Sequence, residues 1–212
     1  MAPTRSDLAH ALCAAEPRLA WVIKEAGPPP ARRAEPGARY FERLATAILH
    51  QQLAGAAAAT ITRRATESLG GHLSATAILQ VDPELLRSSG VSGAKVAAVT
   101  DLARRVEEGT LDLASLRRKS DDDAVAALVE VRGIGVWTAQ MFLMGPLGRP
   151  DVWPVGDLGV RHGWALLMDE PVSDASRLRG AADHLAPWRS SVAWYCWQAV
   201  DRTRAKARAG SR

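Results

Sequence analysis

The stretch that most constrains how this chain folds runs from Leu128 to Met144, Leu-Val-Glu-Val-Arg-Gly-Ile-Gly-Val-Trp-Thr-Ala-Gln-Met-Phe-Leu-Met. Apolar residues at helical spacing (Val125, Leu128, Val129) run into Gly133-Ile134-Gly135, and a second apolar run (Val136, Ala139, Met141, Phe142) resumes at once. Two glycines one residue apart permit the positive-φ backbone of a tight turn and leave its N–H groups bare. The pattern predicts two helices joined by that turn. The second would open with its amides and positive dipole end facing outward, an arrangement that favours a phosphate. Gly-x-Gly alone says little, but between two apolar helices and before Trp137-Thr138-Ala139 it is far more specific.

The rest of the chain keeps the helical period. Residues 6–25 read as one or two short helices broken near Pro17, and Gly27-Pro28-Pro29-Pro30 and Glu35-Pro36-Gly37 bracket a stiff connector. Phe41, Leu44, Ala45, Ile48 and Leu49 fall on one helical face that ends at His50-Gln51-Gln52. A further helix spans Ala56 to Leu69 and stops at Gly70-Gly71. Asp82-Pro83 reads as an N-cap with proline in the first turn. A helix over Ala94 to Glu108 points Val96, Val99, Ala103 and Val106 inward. Ser120 with Asp121, Asp122 and Asp123 is read as a helix cap, in preference to a metal cluster. Helices are also predicted from Asp157 to Met168, around Ala175–Leu185, and from Pro187-Trp188-Arg189 onward, with a basic tail from Arg202 expected to fray. No strand alternation persists, so the fold class is all-α.

The chain has 212 residues, enough for one large domain or two small lobes. Its net charge of +4 comes almost wholly from arginine, 23 Arg against four Lys, which suits an anionic partner because the guanidinium fork donates two bonds at once. Two cysteines, Cys13 and Cys196, exclude a four-cysteine zinc site or an iron–sulfur cluster. No apolar run approaches the ~18 residues of a membrane helix, and the first twenty residues do not resemble a secretory signal. The expectation is therefore an intracellular protein with no membrane partner: cytoplasmic, at the nucleoid, if bacterial, and nuclear if eukaryotic.

Six of the seven tryptophans (Trp137, Trp153, Trp164, Trp188, Trp194 and Trp197) follow the turn glycines. They form either a tryptophan-rich core or an aromatic slot for a flat ligand, best for a cationic one. Asp157 follows Trp153-Pro154-Val155-Gly156. It reads as a helix N-cap or as a carboxylate that stabilises a developing cation, as in glycosyl transfer.

Gly133-Ile-Gly-Val-Trp-Thr-Ala, Asp157 after Trp-Pro-Val-Gly, and Pro187-Trp188-Arg189-Ser190 together resemble the helix-hairpin-helix DNA glycosylase superfamily, and within it the 3-methyladenine DNA glycosylase II branch. The similarity extends to Ala47-Ile-Leu-His-Gln-Gln-Leu53 and Gly90-Val-Ser-Gly-Ala-Lys95, so it covers roughly residues 10–200. It implies one catalytic domain in two lobes with a cleft between them. One lobe would span about 36–132, and the other about 1–35 plus 133–212, with the hairpin at 120–145.

The resemblance also implies roles. Asp157 matches the essential aspartate that helps break the N-glycosidic bond of a flipped-out nucleotide, either by stabilising the oxocarbenium-like sugar, by orienting water, or both. Trp137 and Trp197 match residues lining the base pocket, to which Trp153 and Leu158 are added as neighbours. Gly133, Gly135, Val136 and the amides up to Thr138 match the phosphate-holding hairpin, and Gln52, next to Leu53, matches the wedge that fills the base stack. The carbonyls of Val129, Val131 and Gly133 match those that hold a monovalent cation, Na+ or K+, in relatives. No other cofactor is implied.

Strand-cleaving members carry a lysine where this chain has Trp137, and none of Lys24, Lys95, Lys119 and Lys206 falls there, so no Schiff base is expected. Three positions depart from the pattern. Gly156 precedes Asp157 where two adjacent acids are usual. Arg132 replaces a proline and either contacts phosphate or stays solvated. Leu158 follows the aspartate where some members have an aromatic residue. Lys95 is a further candidate phosphate contact.

The resulting expectation is a monomeric, monofunctional glycosylase acting on damaged duplex DNA. It would flip out alkylated purines such as 3-methyladenine and 7-methylguanine and leave an abasic site. The alternatives are a glycosylase for hypoxanthine, ethenoadenine or uracil, and a non-catalytic DNA-binding module.

Overall fold

The computed structural model describes residues 4–210, and all of the regular structure among them is helical. The chain forms two compact units, Ala34–Leu147, which is continuous, and Met1–Arg33 with Gly148–Arg212, which is not.

In chain order, α1 (Arg5–Ala15) and α2 (Ala20–Ala26) belong to the discontinuous unit. The continuous unit contains α3 (Tyr40–His50), α4 (Gly55–Ser68), α5 (Ala75–Gln80), α6 (Pro83–Ser88), α7 (Gly93–Glu107), α8 (Asp121–Val129) and α9 (Val136–Met144). The chain then returns to the discontinuous unit with α10 (Leu158–Met168), α11 (Ala175–Leu178) and α12 (Arg189–Gly210).

Short polar side chains mark many of the helix starts. Thr4, Ser74, Asp82, Ser92, Ser120, Asp157 and Asp174 each accept a hydrogen bond from a first-turn backbone N–H. Each such cap stabilises its helix by about 1 kcal/mol. Ser120 is thus a cap as read, and no His, Cys, Asp or Glu cluster among the described residues could hold a metal ion.

In the continuous unit, Tyr40, Phe41, Leu44, Ala45, Ile48 and Leu49 form the buried face of α3, as their spacing predicts. α3 packs on α4, α7 and α9, and α8 packs on α9. Phe142 of α9 meets Tyr40 edge-on, with ring centroids 5.4 Å apart. This packing moves a boundary. The sequence reading ends the first lobe at 132, but the whole α8–turn–α9 hairpin lies in Ala34–Leu147 because α9 buries its apolar face against α3.

In the discontinuous unit, α10 lies against α12. A Cβ on Gly163 would stand 2.1 Å from the Cys196 carbonyl oxygen, so glycine sets how closely these two backbones approach.

Three other expectations change. α5 has no counterpart in the sequence reading, although Ser74 caps it. The segment around Ala175–Leu185 is not one helix but α11 followed by a 3-10 turn, Asp183–Leu185. The basic tail does not fray at Arg202: α12 continues to Gly210, and Arg202 and Lys206 both reach Glu25.

Candidate active site

The segment that carries Asp157 is fastened from α12. Arg189 pairs with Asp151 (2.8 Å) and Asp183 (2.9 Å). The Ser190 hydroxyl accepts the Val152 N–H at 2.9 Å and donates to the Arg149 carbonyl at 2.8 Å. Arg189 is therefore an ion-pair residue. These contacts fix the loop before α10, and with it the position of Asp157.

Asp157 is 9% exposed. Its Oδ1 accepts the Val160 N–H at 2.7 Å and the Trp197 indole N–H at 2.9 Å. The cap reading from the sequence therefore holds, and the same oxygen is also held by an aromatic partner. Gly159 makes room for the pair, since a Cβ there would meet Trp197 Cδ1 at 2.8 Å and Asp157 Oδ1 at 3.0 Å. Cys196 lies beneath, and burial, followed by the nearby Asp157 carboxylate, pushes its thiol pKa up and keeps it protonated. Trp197 faces a pocket of about 480 Å³ lined also by Leu158, Gly159, His162, Asp201 and Arg204. Leu158 is exposed at its rim.

Trp153 is not part of that pocket. It is 7% exposed, stacks edge-on with Trp164 at 5.4 Å, and donates its indole N–H to the Leu178 carbonyl at 2.9 Å. Its place after α9 suggested a slot residue, but the side chain is buried and its polar edge is bonded within the core.

The continuous unit holds the hairpin. Gly133 takes φ +80, a backbone that non-glycine residues rarely adopt. Gly135 does not need glycine for its conformation: at φ −90 and ψ 171 it is extended, and a Cβ there would meet nothing within 4 Å. It is the N-cap of α9, and it has no side chain with which to cap the first-turn amides. The helical ladder begins with the Ala139 N–H on the Gly135 carbonyl at 3.0 Å. Val136 and Trp137 are exposed beside this start, whereas Thr138 is buried.

Trp137 faces a second pocket, of about 560 Å³, together with His50, Gln51, Gln52, Leu53 and Met141. Gln52 and Leu53 are exposed on the turn between α3 and α4, and Gln52 has φ 56. Arg132 is exposed, and its backbone N–H donates to Asp101 Oδ2 at 2.9 Å.

Lys95 is a correction. Its ammonium donates to the carbonyls of Leu49 and Gln51, both at 2.7 Å, instead of standing in solvent for a phosphate. Gln51 was missed by the sequence reading. Its Nε2 donates to the Gly133 carbonyl at 2.9 Å and to Thr138 Oγ1 at 3.3 Å. Only its place next to Gln52 hinted at a role.

The turn carbonyls of Val129, Val131 and Gly133 are neutral oxygens, a donor set that suits an alkali cation. The Val131 carbonyl accepts the Ile134 N–H at 3.0 Å and that of Gly133 accepts Gln51, and each has a second lone pair to give.

Residues 45–169 match the family described as HhH-GPD superfamily base excision DNA repair protein. A putative DNA-3-methyladenine glycosylase of Bacillus subtilis is 31% identical over 164 residues, 73% of this chain but 56% of its own length. Among solved structures, a DNA-3-methyladenine glycosidase from Bacillus halodurans is 32% identical with a TM-score of 0.81, covering 92% of this chain and 89% of that one. A Schizosaccharomyces pombe 3-methyladenine DNA glycosylase in complex with abasic DNA is 28% identical with a TM-score of 0.78, covering 90% of this chain and 95% of that one.

Proposed function

This chain belongs to the HhH-GPD superfamily of base excision DNA repair proteins, and from that premise we propose that it is a monofunctional DNA glycosylase. It hydrolyses the N-glycosidic bond of alkylated purines, 3-methyladenine and 7-methylguanine among them, in duplex DNA. The observation that carries the reading is Asp157, a buried carboxylate fixed through one oxygen by Val160 and Trp197. A phosphate clamp would need neither the burial nor the indole.

The chemistry runs as follows. A base stacked in a duplex is out of reach, so the damaged nucleotide is turned out of the helix, while Gln52 and Leu53 fill the gap and the first turn of α9 binds the backbone phosphates. N3- and N7-alkylated purines are cationic, so they attract the electron-rich face of Trp137 and already leave readily, without a general acid. As the glycosidic bond breaks, positive charge develops on the sugar. The preset orientation of Asp157 stabilises that charge and does not have to reorganise to do so.

Water then completes the hydrolysis. Position 137 carries an indole and no amine, so no Schiff base forms with the sugar and the product is an intact strand with an abasic site. A monovalent cation held by the carbonyls of Val129, Val131 and Gly133 would add positive charge beside a phosphate. The reaction requires no other cofactor, and the protein acts on DNA as a monomer.

The test is to incubate the protein with methylated duplex DNA and identify the released bases. Release of 3-methyladenine and 7-methylguanine by the wild type, and loss of it in Asp157→Asn with DNA binding retained, is the expected result. Equal release by the two proteins would remove Asp157 from the mechanism. DNA binding with no base release from methylated, hypoxanthine-, ethenoadenine- or uracil-containing DNA would favour a non-catalytic module.

A further inference from the structure

In the continuous unit, the turn after α3 carries more fastenings than a surface loop needs. α3 ends at His50, and the last carbonyls of any helix lack intrahelical partners and carry the negative end of the dipole. Lys95, from the first turn of α7, places its ammonium on two carbonyls there, Leu49 and Gln51, each at 2.7 Å. The ammonium is partly buried, and that burial lowers its pKa.

The next residue, Gln52, sits at φ 56, a backbone that non-glycine residues hold only when their surroundings impose it. The surroundings do so from both sides. Lys95 holds the Gln51 carbonyl, and the Gln51 side chain reaches the hairpin at Gly133 (2.9 Å) and Thr138 (3.3 Å). The exposed wedge and the phosphate-facing turn are therefore joined by one residue, Gln51, whose own backbone is clamped by Lys95.

We propose that Lys95 and Gln51 are positioning residues that lock the Gln52 turn to the Gly133 hairpin, so that filling the base stack and gripping the backbone occur together. The proposal rests on the glycosylase reading above and extends it. If the lock is lost, Gln52 has no fixed place from which to enter the stack, and extrusion of the damaged base becomes the costly step. The chemistry at Asp157 is untouched.

The experiment compares single-turnover release of 7-methylguanine from two duplexes. In one the lesion is paired with cytosine. In the other it faces an abasic-site analogue, so extrusion costs less because no pairing must be broken. Lys95→Met and Gln51→Ala are each expected to slow release from the paired duplex about tenfold, and from the unpaired one by less than about twofold. Lys95→Arg, which can still donate to both carbonyls, should restore the paired rate. The double variant should resemble either single one, because the two residues form one lock.

A merely structural role would lower both rates alike. Equal loss on the two duplexes, or no loss on the paired one, overturns the proposal and leaves the glycosylase reading intact. Thermal melting of each variant accompanies the assay. If Lys95→Met fails to fold, Gln51→Ala, a side-chain truncation on the turn, decides alone. A wild type that releases no base from either duplex overturns the glycosylase reading, and this proposal with it.

Discussion

α9 and α10 both start from a residue with extended backbone, Gly135 and Asp157, and they treat the positive end of the helix in opposite ways. Asp157 spends its carboxylate within the protein, on the Val160 N–H at 2.7 Å, and lies buried. Gly135 has nothing to spend, and the start of α9 is flanked by exposed Val136 and Trp137. Both arrangements answer the same need, because first-turn amides want an acceptor. In α10 the protein supplies that acceptor itself, and in the proposed function the same held carboxylate is the catalytic group. In α9 the N-cap residue supplies none, and in the proposed function a DNA phosphate takes that place.

The largest effect should come from changing charge but not shape in α10. Asp157→Asn keeps an oxygen for Val160 and Trp197 but removes the negative charge, so base release should fall about 10²–10³-fold while DNA affinity changes little. Single-turnover release and a binding titration read the two sides separately. A smaller effect tests what holds α10 in place. Gly163→Ala drives a Cβ into the Cys196 backbone, 2.1 Å from its carbonyl oxygen, and should destabilise the protein by about 3 kcal/mol in denaturant unfolding.

The contrast can also be reversed. Gly135→Asp gives α9 the start that α10 has, and the site has room for the new side chain and no positive φ to forbid it. Stability should rise by a few tenths of a kcal/mol, while DNA affinity should fall about tenfold as a carboxylate takes the place of a phosphate. Unchanged affinity would remove the α9 start from the DNA-binding surface.

The smallest effect concerns Glu16, which does for the 3-10 turn Pro17–Leu19 what Asp157 does for α10: it accepts the Arg18 N–H, at 3.2 Å. The Arg18 guanidinium, bonded to the same carboxylate, is the main cause of a pKa lowered from 4.5 to about 2. The folded-state pKa lies below the unfolded one, so this contribution is present above about pH 4.5 and is lost as pH falls from there toward 2. Unfolding midpoints over that range should decline less steeply for Glu16→Gln than for the wild type.

The sequence alone determined the helical class, most helix starts and the hairpin, because these are local. Caps, the spacing of apolar residues and a glycine turn act within a few residues of one another, so Ser120, Asp82 and the stripe on α3 could be read directly. Asp157 was legible too, but only as two competing readings, and the structure shows that its carboxylate is the cap and is held by Trp197 as well. What lay beyond reading was decided by tertiary contacts. α5 is too short to show a period. Trp153 differs from Trp197 only in what surrounds it, one indole N–H meeting Leu178 in the core and the other meeting Asp157 at a pocket. Lys95 looked like a phosphate ligand because a cation at a helix start usually faces solvent. Only the fold brings the carbonyls at the end of α3 to its ammonium. Which acceptor a side chain finds depends on residues far away in the chain, and no local pattern records that.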